Sequence, residues 1–187
     1  MNRENHQSPL PPLAKGVRGI WEGTGMTEIN FTVKKLKERF PNSISEVTTF
    51  RGEVTVVVPK EAIFEICKFL HSDPDLQYHL LTDLCGLDFF PQTPRFGVVY
   101  LLYSMKSNYR LRVKTRVGER ESIPSVESIW KVADWYERET YDLFGIIFEN
   151  HPDLRRIMLW DGFEGHPLRK DFPVEGPDFD KPFVPEV

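Results

Sequence analysis

Cysteine is scarce: Cys67 and Cys85 are the only two in 187 residues. They fall in separate predicted elements, with no close spacing between them. An iron–sulfur cluster takes four cysteine ligands and a structural zinc site takes Cys or His in close pairs, so this chain by itself supplies neither. Both cysteines read as small apolar core residues of a protein kept in a reducing compartment. Long apolar runs are also missing. No stretch approaches the roughly 18 residues that span a bilayer, and no basic region leads into an apolar one at the N-terminus. The chain is therefore expected in the cytoplasm or on that face of a membrane. A basic excess is absent too: the net charge is -4, and the cations are scattered, which excludes an electrostatic footprint for nucleic acid. GxGxxG, GxxxxGK[ST] and GxSxG do not occur, so the familiar nucleotide-binding and nucleophile devices are lacking.

What is present is a chain of single-domain size, 40% hydrophobic, 13% aromatic and 28% charged, able to bury a core beneath a polar surface. Residues 1–25, rich in Pro and Gly and without periodicity, read as a loose N-terminal extension. Met26 stands at the edge of the first regular element, which points to translation beginning there. From Thr27, Ile29, Val33, Leu36 and Phe40 share one helical face, and Pro41 ends it. Val47 and Phe50 lead through Arg51-Gly52 into Val54, Val56 and Val58, a hairpin pattern. Pro59 introduces a helix from Lys60 to about His71, with Ile63, Cys67 and Leu70 inward and Asp73-Pro74 closing it.

Leu80 to Phe90 suits either strand or helix. Phe96 to Ser104, FGVVYLLYS, is a nearly continuous apolar run and reads as a central strand. Beyond a link at Met105–Asn108, Tyr109, Leu111, Val113 and Thr115 alternate with Arg110, Arg112, Lys114 and Arg116, giving one buried and one basic face. Ser125 is the expected N-cap of a long helix whose inward face is Val126, Ile129, Trp130, Ala133, Tyr136 and Thr140. It is expected to end near Phe144-Gly145. The boundaries that follow are a domain over 26–148 and an extended tail over 149–187, a segment without a periodic core face that needs a surface to lie on.

The sharpest local feature is ERETYD at 137–142. At 100° per residue Glu137 points away from Glu139 and Asp142, so the three acids form no compact site by themselves. Asp134, Arg138 and Asp142 fall at i, i+4 intervals and form a ladder of alternating charge. Glu139-x-x-Asp142, with His151 and Asp153 following, resembles half of a di-metal carboxylate site, but the second Glu-x-x-His copy that such bundles use is missing. A solvated or partner-bound charge face is the other reading, and general acid–base work by Glu139 or Asp142 is a third. His151 and His166, each followed by proline, mark turns or serve as ligands. Arg155, Arg156, Arg169 and Lys170 are solvated charges or contacts to an acidic protein surface. Thr82, Asp83 and Asp88 surround Cys85, but no histidine is placed by the sequence to activate that thiol.

Residues 130–159, WKVADWYERETYDLFGIIFENHPDLRRIML, followed by GHPLRKDFP at 165–173, resemble the signature of the thirty-kilodalton-type subunit family of respiratory complex I, the proton-pumping NADH:quinone oxidoreductase. Glu137, Arg138, Glu139, Asp142, Leu143, Phe144, His151 and Arg155 meet the family pattern. LLTDLCGLDFF and FGVVYLLYS resemble the family's central strands, so the likeness runs from about Thr27 to Pro173. It implies an α+β fold, a mixed and partly antiparallel sheet with packed helices and an extended C-terminal tail that docks on partners. It implies a structural subunit of the hydrophilic arm, peripheral on the cytoplasmic side of the inner membrane, which braces the quinone-reducing module. Such a subunit holds no cofactor; FMN, iron–sulfur clusters and quinone belong to partners, above all the quinone-site and iron–sulfur subunits. Glu137, Arg138, Glu139, Asp142, His151, Arg155, Arg156, Arg169 and Lys170 are the motif residues expected to meet those partners. Similar subunits serve ferredoxin-linked, plastoquinone-linked and hydrogenase complexes, which the motif does not separate. The reading of another class is a small enzyme with Glu139, Asp142 and His151 around a metal.

Overall fold

The computed structural model describes residues 24–173, with side chains described from residue 31 onward. The expectations for the stretch before Thr24, for the Ile29 side chain and for residues 174–187 lie outside the described residues. Helix α1, Thr24–Arg39, begins two residues inside the segment expected to be a loose extension. Leu36 on it is fully buried, Val33 and Phe40 pack partly against the core, and Lys37 and Arg39 favour its negative C-terminal end. Phe40 and then Pro41 follow its last residue.

Strands β1 (Glu46–Phe50) and β2 (Glu53–Val57) form the expected hairpin, in which Arg51 and Gly52 both take left-handed backbone, φ 51° and 81°. Two positive φ values in a two-residue loop give the twist that matches paired strands, and glycine takes such a conformation without steric cost. The helix predicted from Lys60 opens instead as a 3₁₀ turn, Lys60–Ala62, and becomes α2 over Ile63–Ser72, with Ile63, Ile66, Cys67 and Leu70 buried. The ambiguous stretch resolves as strand β3, Leu80–Asp88, followed by β4, Phe96–Ser104, and β5, Tyr109–Val117.

The five strands make one mixed sheet in the order β1-β2-β5-β4-β3, in which only β2 and β5 run parallel. Successive cross-strand rows, such as Val56–Val113–Tyr100–Leu84, place one apolar face inward. That face packs against the buried residues of α1, α2 and a third helix. The expectation of an α+β fold with a mixed sheet holds.

The third helix is shorter than its sequence predicts. Ser122–Pro124 form β6, a strand parallel to β7 (Ile147–Glu149), and helix α3 runs only from Ala133 to Phe144. Ser125 does not cap it. The Ser125 hydroxyl and the Val126 N–H both donate to the Glu137 carboxylate, which holds residues 125–130 in turns closed on the Val126 carbonyl. Val126, Trp130, Ala133 and Thr140 are buried as predicted, whereas Tyr136 is half-buried and donates its hydroxyl to the Thr82 carbonyl 3.2 Å away.

Helix α3 settles on β3 at Gly86. A Cβ there would stand 2.6 Å from Phe144 Cδ2 and 3.1 Å from Thr140 Cγ2. Gly86→Ala is accordingly expected to destabilise the domain by about 2 kcal/mol, the usual cost of an added carbon in a filled interior. The midpoint of urea unfolding measures it, and an unchanged midpoint would mean that the helix has room to move away.

Candidate functional site

The motif residues lie on α3 and on the chain that returns over it from residue 150. Glu137 sits on the core side of the helix with no exposed side-chain surface. Its Oε2 accepts from the Ser125 hydroxyl at 2.6 Å and its Oε1 from the Val126 N–H at 2.8 Å. His151 Nδ1 accepts the Asp153 N–H, so Nε2 carries the ring proton and points to Asp134, 3.2 Å from both its carbonyl and its Oδ1. The same nitrogen lies 3.9 Å from Glu137. Burial pushes the Glu137 carboxyl up to about 7, and the nearby acids Glu127 and Asp134 add to this, while the bonds from Ser125 and Val126 oppose it.

Asp142 lies about 140° round the helix from Glu137 and is fully buried by a different layer, the returning segment. Its Oδ1 accepts from Arg156 at 2.6 Å, and its Oδ2 accepts the backbone N–H groups of Ile157, Met158 and Leu159 at 3.0, 2.8 and 2.9 Å. Burial alone would raise its pKa. The N–H donors of Leu159 and Ile157, the Arg156 guanidinium and the Met158 N–H outweigh that and hold it below the ordinary carboxylate range.

The end of α3 would leave its last carbonyls without helical partners. Gly145 takes left-handed backbone, φ 75°, and returns its N–H to the Tyr141 carbonyl at 2.8 Å. GHPLRK satisfies carbonyls of the last turn: His166 Nδ1 donates to Asp142 O at 2.8 Å, the Leu168 N–H to Leu143 O at 3.1 Å, and Arg169 Nε to Phe144 O at 2.6 Å. Arg169 also suits the negative end of the helix dipole. Burial lowers the His166 pKa, although its bond to the Asp142 carbonyl works the other way.

A second anchor escaped the sequence. Arg95, only 7% exposed, lies between the Phe90 and Phe96 rings and reaches Asp88, Glu119 and Asp171 with its guanidinium. The Lys170 N–H also donates to Asp88, at 2.9 Å. Burial pushes the Asp88 carboxyl up, but Arg95 and the N–H groups of Lys170 and Phe90 bring it down to about 2. Its sequence signals were the places of Asp88 within LLTDLCGLDFF and of Asp171 within GHPLRKDFP.

These contacts correct two expectations. The ladder of Asp134, Arg138 and Asp142 does not pair along the helix: Asp134 meets His151, Arg138 donates to the Arg155 and Arg156 carbonyls, and Asp142 takes Arg156. Fixed partners on the returning chain win over an exposed i, i+4 pair worth only about 0.2–0.5 kcal/mol. Nor are Glu137 and Asp142 part of a solvated face, since both are enclosed by their own chain. Glu139, Arg155 and Lys170 are exposed, as are Trp135, Met158 and Trp160 at 61%, 63% and 60%. Among the described residues no group of three or more His, Cys, Asp or Glu side chains is placed to hold a metal ion. The Cys67 thiol is pushed up by burial, and that of Cys85 by burial and then by Asp83 and Glu139, so neither is activated as a nucleophile.

The chain is similar to proteins named as one particular subunit of NADH-quinone oxidoreductase. That of Geotalea uraniireducens is 55% identical over 154 residues, which cover 82% of this chain and 93% of the relative. That of Citrifermentans bemidjiense is 52% identical over 154 residues, 82% and 94% of the two chains. A Rhizobium etli protein named for the same subunit is 48% identical over 141 residues, 75% of each. The model of the family described as respiratory-chain NADH dehydrogenase, 30 Kd subunit, matches residues 56–178, a span that takes in β3, β4, β5, α3 and the returning segment. With α3, its buried acids and the GHPLRK cap all inside that match, the chain belongs to the 30 Kd subunit family of the respiratory-chain NADH dehydrogenase.

Proposed function

We propose that this chain is a structural subunit, without a cofactor of its own, in the hydrophilic arm of a proton-translocating NADH:quinone oxidoreductase. It is peripheral, on the cytoplasmic side of the inner membrane, and braces the quinone-reducing module; among the described residues no helix is long and apolar enough to cross a membrane. Electron transfer from NADH to quinone is then an activity of the whole assembly, with FMN, iron–sulfur clusters and quinone on its partners.

The observation that carries this reading is the use to which the motif's acids are put, in a chain whose relatives are named as a subunit of NADH-quinone oxidoreductase. Glu137 and Asp142 have their oxygens taken up by donors of their own chain. A general acid, a general base or a metal ligand needs an oxygen within reach of substrate or ion, whereas these two carboxylates have no exposed side-chain surface and fix α3 against residues 125–130 and 156–159. Partner docking falls to what this framework leaves outside: Glu139, Arg155 and Lys170, with Trp135, Met158 and Trp160, aromatic and Arg side chains being the ones that concentrate binding energy in interfaces. Arg138, Arg156, Arg169 and His151 support that surface from beneath.

Purification of the tagged chain from gently solubilised membranes tests this. It is expected to come out in equal amount with a flavin-bearing NADH subunit and iron–sulfur subunits, while the isolated chain contains no stoichiometric metal by elemental analysis. Recovery as a free monomer, or bound metal lost on Glu139→Ala, would overturn the reading. A ferredoxin-linked set of partners would move the chain to a sister complex.

A further inference from the structure

Strand β4 is apolar on both faces, although the core fills only one of them; on the other the Phe89 ring stands over Gly97 and the remaining positions are half-buried. Phe96, Val98, Tyr100 and Leu102 point into the core. The alternate positions hold Val99, Leu101 and Tyr103, where a strand with one wet face carries polar residues. Val99 has Cys85 beside it on β3 and Lys114 on β5, with Val57 beyond on β2. Val57, Leu87, Val99 and Leu101 are each half-buried, and none belongs to the core cluster or packs against it. A near-continuous apolar strand is the mark of burial on two sides, and this protein provides one.

Strand β5 borders that apolar strip with an outward column of four cations, Arg110, Arg112, Lys114 and Arg116. Glu53 answers the first two, pairing closely with Arg112 and lying 3.9 Å from Arg110. Lys114 and Arg116 stand 5.0 and 3.6 Å from the centre of the Phe89 ring, and Arg116 donates to the Gln92 amide. Among the described residues neither has a carboxylate partner. Covering two such cations with a neutral surface would strip their hydration without return, whereas carboxylates set against them replace it.

We propose that the outer face of β3, β4 and β5 is a second docking surface, occupied by another protein subunit of the same assembly. That subunit lays an apolar ridge along Val99 and Leu101 and sets carboxylates against Lys114 and Arg116. The inference rests on the reading of this chain as a subunit of a larger complex and adds a face remote from the motif, on the side of the sheet opposite α3.

A photo-cross-linking amino acid at Leu101 of the full chain, activated in the purified complex and read by mass spectrometry, tests it. The expected product joins Leu101 to a peptide of another subunit with Asp or Glu within a few residues. In parallel, Lys114→Glu with Arg116→Glu is expected to lower the fraction of chain recovered in the complex about tenfold, and Lys114→Gln with Arg116→Gln less. The melting curve of the free chain stays near wild type, because both side chains reach solvent. Cross-links that stay within this chain, residues 174–187 included, or that reach only a basic or uncharged segment, overturn the proposal. Recovery of the charge-reversed pair at the wild-type level does so as well. In each of these cases the chain is still in the complex and the assembly reading survives; absence of the chain from any such complex removes both.

Discussion

Asp142→Ala is expected to destabilise the domain by about 4 kcal/mol, the scale set by removing one partner of a buried ion pair. The variant strands four donors that converge on one carboxylate: the Arg156 guanidinium and the N–H groups of Ile157, Met158 and Leu159. Each donor left unpaired costs about 1–3 kcal/mol where water cannot replace the partner. The returning segment relaxes toward solvent and recovers part of that. Asp142→Asn keeps the volume but turns an N–H₂ or a neutral oxygen toward the donors, so most of the loss is expected to persist. Urea unfolding gives the magnitude, and faster proteolysis within residues 154–165 shows where the chain has loosened. Arg138→Ala is the comparison, at no more than about 1 kcal/mol for a partly exposed charge. A loss at Asp142 as small as that would mean that the carboxylate does not anchor the segment.

The pH dependence of that anchor follows from its depressed pKa. The folded state binds fewer protons than the unfolded chain wherever the two titrate differently, so the contribution is present in full above the unfolded value near 3.8 and is lost as pH falls through the folded one. The acid limb of the stability curve should flatten in Asp142→Ala.

Glu137→Gln is expected to act in the opposite sense, with its largest effect at alkaline pH. The Glu137 carboxyl titrates at about 7 in the folded protein against 4.5 in the unfolded chain. Between those values the folded state binds more protons, so wild-type stability falls as pH rises from about 4.5 to 7 and is flat beyond. Burial is the main cause; Glu127 and Asp134 act with it, and the Ser125 and Val126 donors act against it. The ring of His151 and the buried Cys67 and Tyr100 are the other groups that face the carboxyl. Glutamine keeps its one oxygen for the Val126 N–H, turns its N–H₂ to the Ser125 hydroxyl as acceptor, and has no proton to lose. Near pH 4 it should match wild type, and at pH 8 it should be the more stable by on the order of 3 kcal/mol, the equivalent of a shift of that size. Urea unfolding at the two pH values measures both differences. Equal stability at pH 8 would mean that the anion is solvated in place.

Much of this architecture was legible in the sequence. The hairpin at Arg51-Gly52, the alternation over Tyr109–Val117 and the helix stop at Gly145 each follow from local chemistry: left-handed turn residues, period-two burial and a glycine C-cap. The start of α3 was not legible, because Ser125 is as good a cap for a turn as for a helix. A carboxylate 12 residues away in sequence claims its hydroxyl. Nor did spacing along α3 distinguish a surface ladder from buried anchors, since the layer that buries Asp142 comes from residues 156–159.

By itself the sequence determined most of the elements, the family and the lack of cysteine ligands for a cluster, because propensity, periodicity and ligand arithmetic are properties of short stretches or of composition. Only the tertiary structure decided what ERETYD and GHPLRKDFP meet within the chain. Whether an acid on a helix is solvated, catalytic or structural depends on which distant donors reach it, and here the donors to Glu137 and Asp142 come from chain folded over two different sides of the same helix. Tertiary structure also separated the two faces of FGVVYLLYS, one filled by this chain's own helices and one left apolar beside Lys114 and Arg116, because alternation names two faces and packing alone shows which of them is covered.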